Sequence, residues 1–320
     1  MNETLATFLI SLGVSAILAK PILIGLVALK SRQTVSQYVA EHAHKQGTPT
    51  MGGMIILVGA VAGLVYWGAF APGPARAALT LVLGFALIGF LDDFVLPRVK
   101  KGSRGFGWIP KLVLQIGIAS ICVWMFFVPF GAATARNLAA AVFLVLFFAN
   151  AYNFSDGLDW LAGSILLALG AGVIACAIAL GREVWIMPMA ALLGGLLPFM
   201  VLNRPPAKVF MGDVGSMPIG GLLGLAVADM TVNAAPRTPM PWLALAGLVV
   251  LAVVMLVELV PVPLQILSVK LRKKRLFPMT PIHHAFQKAG WSEIKIVAMF
   301  FALQVVGSGL GYLLVTKAVR

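Results

Sequence analysis

Ten continuous apolar runs, near 5–28, 51–70, 77–95, 112–130, 137–153, 161–180, 185–203, 216–234, 241–266 and 295–316, take up most of this chain. Each approaches the roughly twenty residues a helix needs to cross a bilayer. A backbone in lipid must satisfy its own hydrogen bonds, so it forms helices or closed barrels. The runs do not alternate as barrel strands do. The fold class is therefore an all-α polytopic membrane protein with about ten transmembrane helices. Composition agrees: 60% of the 320 residues are apolar and 11% charged, against about 25% charged in a soluble domain. Residues 1–320 read as one integral membrane domain without repeats or low-complexity segments. Met1–Gly13 has no basic leader region and reads as a retained first span.

The net charge of +13 would suit nucleic acid, but in a membrane protein it has a simpler source. Of the 24 Lys and Arg, 17 fall in the links near 30–50, 96–111, 204–215 and 267–295, and four in the alternate links. Basic links stay in the cytoplasm, which places both termini on the periplasmic or extracellular side and excludes a nucleic-acid partner. Cys122 and Cys176 lie inside apolar runs and read as core residues.

Carboxylates at a bilayer boundary are costly to desolvate, so a cluster of them marks a functional site. Asp92–Asp93 ends the third run, Asn153–Asp159 follows the fifth and Asp213 follows the seventh. All three follow odd-numbered spans and open on the cytoplasmic face. Asp92 and Asp93 point about 100° apart on an α-helix and need not share a ligand; Asp93 has Arg98 as an alternative partner. Lys111 and Gln115, four apart, share a helix face. The stretch His42–Gly53 runs into a glycine-rich helix start, whose amides beside Lys45 and Thr50 suit an anion. Asn203–Ser216 ends in Gly-Asp-Val-Gly-Ser, where Asp213 offers a hard oxygen ligand of the kind Mg²⁺ uses and Phe210 a stacking face for a base. His283 and His284 follow a basic run, Lys270–Arg275, and lack zinc-ligand spacing; they suit a diphosphate.

The elements HKxGTPTMGG (His44–Gly53), FLDD (Phe90–Asp93), KxxxQ, NFSDGLDxLA (Asn153–Ala162), PAKVFMGDVGS (Pro206–Ser216) and TPIHHAF…GW resemble, in this order, the phospho-N-acetylmuramoyl-pentapeptide transferase (MraY) family of the polyprenyl-phosphate N-acetylhexosamine-1-phosphate transferases. The resemblance covers nearly the whole chain. It implies Mg²⁺-dependent transfer of phospho-MurNAc-pentapeptide from UDP-MurNAc-pentapeptide to undecaprenyl phosphate, giving lipid I and UMP. This is the first membrane step of peptidoglycan synthesis, in the bacterial inner membrane, and it underlies cell shape and division.

The resemblance also implies roles. Asp213 is the metal ligand, and Asp92 deprotonates or positions the lipid phosphate. Lys111, Asp93, Asn153, Asp156, His283 and His284 serve the diphosphate. Gly157, Leu158, Asp159 and Phe210 form the uracil pocket, with Lys45, Thr50 and Asn203 near the nucleotide-sugar. The bilayer and a second copy of the chain are the other expected partners. Direct transfer and an aspartyl-phosphate intermediate both remain open. Three positions depart from the family's pattern: Ala285 replaces a third histidine, Gln287 an acid and Trp160 a glycine. The alternatives are a related transferase for another UDP-N-acetylhexosamine and a transporter using Asp229 and Glu258.

Overall fold

A computed structural model describes residues 3–29, 47–71, 73–99, 105–130 and 134–320, and their regular structure is helical. Each apolar run closes its backbone hydrogen bonds within itself, as lipid requires. The helices are α1 (Glu3–Ala28), α2 (Gly53–Tyr66), α3 (Pro74–Phe90), α4 (Leu96–Val99), α5 (Trp108–Phe127), α6 (Ala135–Phe154), α7 (Leu161–Ala179), α8 (Ile186–Leu202), α9 (Asp213–Asp229), α10 (Pro241–Leu251), α11 (Val253–Leu259), α12 (Pro261–Arg272), α13 (Ile282–Lys288) and α14 (Glu293–Val319). Nine helical segments among the described residues are long and apolar enough to cross a membrane. The chain is a multi-pass membrane protein.

Two of the ten expected runs differ from single long helices. The second yields only the 14 residues of α2. The ninth is split into α10, α11 and α12, with a turn at Ala252 (φ −86°, ψ 16°) and with Pro261 opening α12. A proline has no N–H to donate and clashes with the turn before it, so apolarity alone overstates how far a helix runs there.

The axis of the molecule is α9, buried at every residue from Val214 to Asp229. It packs mainly against α6 and α3, with α2 and α7 beside them. A Cβ on Gly220 would stand 2.4 Å from the Phe148 carbonyl oxygen, so α6 approaches to backbone contact, as small residues permit between membrane helices. At the C-terminal end of α9, Asp229 accepts hydrogen bonds from Arg182 Nε and Nη2 (both 2.7 Å), Trp185 Nε1 (2.8 Å) and Asn233 Nδ2 (2.7 Å). Val319 lines a cavity with Arg182 and Asn233 at that end. Thr7 of α1 lies against Met187 at the start of α8. Both chain ends therefore share the end of the bundle opposite Asp213.

Candidate active site

The chain continues from α3 through a π-turn, Leu91–Val95, a local feature often found at functional sites. In this turn Asp92 and Asp93, which an α-helical step alone would not require to share a ligand, both reach toward Asp213. One carboxylate oxygen from each, and one from Asp213 at the start of α9, lie within 4.8 Å of one another. The sequence reading gave the metal to Asp213 alone; the geometry offers all three acids. Three hard oxygen donors, without sulfur or imidazole, fit a hard divalent cation.

The surrounding groups hold these carboxylates in place. Lys111, in the first turn of α5, lies between two of them, donating to Asp92 Oδ2 at 3.1 Å and to Asp213 Oδ2. Asp92 also accepts from the Phe106 N–H, and Asp93 Oδ2 from the Val214 N–H at 3.2 Å. Asn153 Nδ2 donates to Asp213 Oδ1 at 2.7 Å and to Ser216 Oγ at 2.8 Å. Gln115, one turn beyond Lys111, accepts from Asn150 Nδ2 at 3.1 Å. That bond satisfies an amide otherwise costly in an apolar span.

A second compartment adjoins the first. Asp156 Oδ2 accepts from the Gly212 N–H at 2.9 Å. Burial pushes the Asp156 carboxyl well above the ordinary carboxylate range, and the charges of Asp213, Asp93 and Asp159 add to the shift against the pull of that N–H. Asp159 Oδ2 accepts from the Ala207 N–H at 2.9 Å. A cavity of about 320 Å³ opens between Thr48, Asp159, Pro205, Pro206, Ala207, Phe210 and Glu293. Leu158 is buried and does not line it. Asn203 is occupied with backbone: its Oδ1 accepts from the Trp160 N–H (2.8 Å) and its Nδ2 donates to the Val209 carbonyl (2.9 Å). It ties the two loops together and does not line the cavity. Trp160 sits in the left-handed region at φ 67°. That conformation costs a non-glycine residue about 1–2 kcal/mol, so the position is one that favours glycine. Here the indole N–H donates to the Met200 carbonyl at 2.8 Å.

The helix start at Gly52–Gly53 is not an anion cradle. The Gly52 N–H donates to the Phe210 carbonyl (2.7 Å) and the Gly53 N–H to that of Met211 (2.9 Å), so those amides are already used. A Cβ on Gly53 would stand 2.3 Å from the Gly215 Cα; these glycines serve backbone approach. Thr50 is buried beside the acids: a Cβ on Gly212 would meet both Thr50 Oγ1 and Asp93 Oδ2 at 2.6 Å. Lys45, with His42 and His44, lies outside the described residues.

The two histidines differ in setting. His283 is fully buried and its Nδ1 lies 2.8 Å from Glu258 Oε2. His284 is partly exposed and its Nδ1 lies 2.7 Å from Gln287 Oε1. Sequence reasoning left Glu258 out of the site, although a lone acid in an apolar run was a usable signal. Glu293 was also missed, and nothing in its local sequence marks it as lining the cavity.

Residues 75–231 match the family model Glycosyl transferase family 4, and residues 45–57 match Phospho-N-acetylmuramoyl-pentapeptide-transferase signature 1. Curated relatives are similar over nearly their whole length. The phospho-N-acetylmuramoyl-pentapeptide-transferase of Desulforamulus reducens is 36% identical, covering 90% of this chain and 88% of its own. That of Acetivibrio thermocellus is 36% identical (95% and 93% covered), and that of Lactobacillus johnsonii 32% (96% and 98%).

Proposed function

The chain belongs to the phospho-N-acetylmuramoyl-pentapeptide-transferase family, and from that premise we propose that the cleft around Asp213 is where the family's reaction takes place. The reaction transfers phospho-MurNAc-pentapeptide from UDP-MurNAc-pentapeptide to a lipid phosphate carrier, giving UMP and lipid I in peptidoglycan synthesis. The carrier is undecaprenyl phosphate, the membrane the bacterial inner membrane, and the cleft faces the cytoplasm with the basic links. One observation carries the assignment: three carboxylates and Lys111 converge beside a cavity with an aromatic wall.

Asp92, Asp93 and Asp213 would hold Mg²⁺, which when bound screens the anionic reactants from each other. Each protein group then has a task. Lys111, within reach of Asp92 and Asp213, offers its ammonium to the diphosphate. Asn153 fixes the carboxylate plane of Asp213. Asp92, also held by the Phe106 N–H, positions the lipid phosphate or takes its proton. Phe210 offers its ring to the uracil, and Asp159, held by the Ala207 N–H, faces the same cavity. His284 reaches the diphosphate from the partly exposed side of α13.

Two donors separate this reading from its relatives. Purified protein given UDP-MurNAc-pentapeptide, undecaprenyl phosphate and Mg²⁺ should release UMP. Release only with UDP-GlcNAc would overturn the donor assignment and keep the transferase chemistry. Membership of the transferase family is what disfavours the transporter alternative.

A further inference from the structure

Glu258 and His283 lie inside the protein, on α11 and α13, and each is fully buried. Both carboxylate oxygens engage the histidine: Oε2 at 2.8 Å from Nδ1, and Oε1 accepting from the His283 N–H at 3.3 Å. Two contacts to one residue fix the imidazole plane, and they turn Nε2 away from Glu258. Nε2 is buried without a hydrogen-bond partner. What it meets is the turn that carries Asp156 and Asp159. A Cβ on Gly157 would stand 2.2 Å from Nε2 and 2.9 Å from Cε1. Gly157 does not have a positive φ, so it is the imidazole, and not the backbone conformation, that excludes a side chain there.

We propose that Glu258 and His283 are positioning residues: a braced imidazole that sets the height of the 156–159 turn and so shapes the nucleotide compartment. His283 then acts through Gly157 and does not touch the transferred phosphate; of the two histidines, His284 is left to do so. A flat ring anchored at one nitrogen is a stiff spacer, and a buried carboxylate is costly to leave without its partner, so the brace needs both the ring and an acceptor at position 258. The inference rests on the reading of Asp159 and Phe210 as the nucleotide pocket.

The test is a double-mutant cycle on UDP-MurNAc-pentapeptide binding by the full-length protein, with Tm recorded for each variant. His283→Ala and Gly157→Ala should each weaken binding by on the order of tenfold. Gly157→Ala/His283→Ala should be no weaker than His283→Ala alone, because the methyl enters space the ring has left. Glu258→Gln, which keeps an acceptor, should retain most of the affinity that Glu258→Leu loses. Effects that multiply to about a hundredfold, or a His283→Ala variant that lowers kcat with donor affinity intact, would overturn the brace. Asp159→Ala and Phe210→Ala serve as the independent check. If they leave donor affinity unchanged, it is the pocket reading that fails.

Discussion

Lys111 stands between Asp92 and Asp213, where its charge competes with a cation and also serves an anionic substrate. Lys111→Met should therefore tighten Mg²⁺ binding while slowing turnover. The half-saturating Mg²⁺ concentration falls, because two carboxylates lose their counter-charge, and kcat falls on the order of a hundredfold. Unchanged values for both would remove Lys111 from the centre. Asp213→Ala should lower turnover at saturating Mg²⁺ by about a thousandfold. Asp156 gives a pH signature. Its folded pKa is raised above the unfolded value of about 3.9, so the folded chain holds this proton more tightly than the unfolded chain. The group's contribution to stability is complete at low pH and is lost as pH rises from about 3.9 through the raised value. Asp156→Asn keeps an acceptor for the Gly212 N–H, so it should raise Tm near pH 8 and leave it nearly unchanged near pH 4. A lower Tm near pH 8 would contradict the raised pKa.

At the scale of elements, the sequence revealed the helices better than their joints. Continuous apolar runs located the spans, because lipid permits little else. The break at Ala252 left no trace in the apolar pattern, although Pro261 marked the second joint. The π-turn at Leu91–Val95 was also illegible, since it is a change of hydrogen-bond register with no residue code of its own. Gly52 and Gly53 were misread for a physical reason: cradling an anion and packing against another backbone both require a missing Cβ. The contact itself decides between them. Gly53→Ala would place a methyl 2.3 Å from the Gly215 Cα and should cost about 1–3 kcal/mol, read as a lower Tm with loss of activity. Gly117→Ala, with no atom within 4 Å of the added carbon, is the control that should leave both unchanged.

At the scale of the molecule, charge counting brought Asp92, Asp93, Asp156, Asp159 and Asp213 to one end before any geometry was known, and the structure gathers them there. What counting could not supply was the second anchor. Asp229, with Arg182, Trp185 and Asn233 around it, pins the far end of α9, about 25 Å from Asp213 at 1.5 Å per residue. Asp229→Ala removes a fully buried carboxylate that accepts from Arg182, Trp185 and Asn233, and it should cost about 3–5 kcal/mol. UMP release per folded molecule should hardly change, because the acids and the cavity lie at the other end. A loss of turnover in protein of unchanged Tm would show that α9 couples the two ends.

The burial of α9 also has a temporal consequence during synthesis. The helices it packs against, α2, α3, α5, α6 and α7, all precede it in the chain. It leaves the ribosome after its walls have been made and can settle into a groove already standing in the bilayer. The three carboxylates and Lys111 all precede α10 to α14 in the chain, so they emerge before the last helices do. Of the described residues that line the cavity, Glu293 alone follows α9, and the Glu258–His283 pair behind Gly157 also comes late in the chain. A nascent chain thus acquires its charge cluster first and the brace behind its second compartment last.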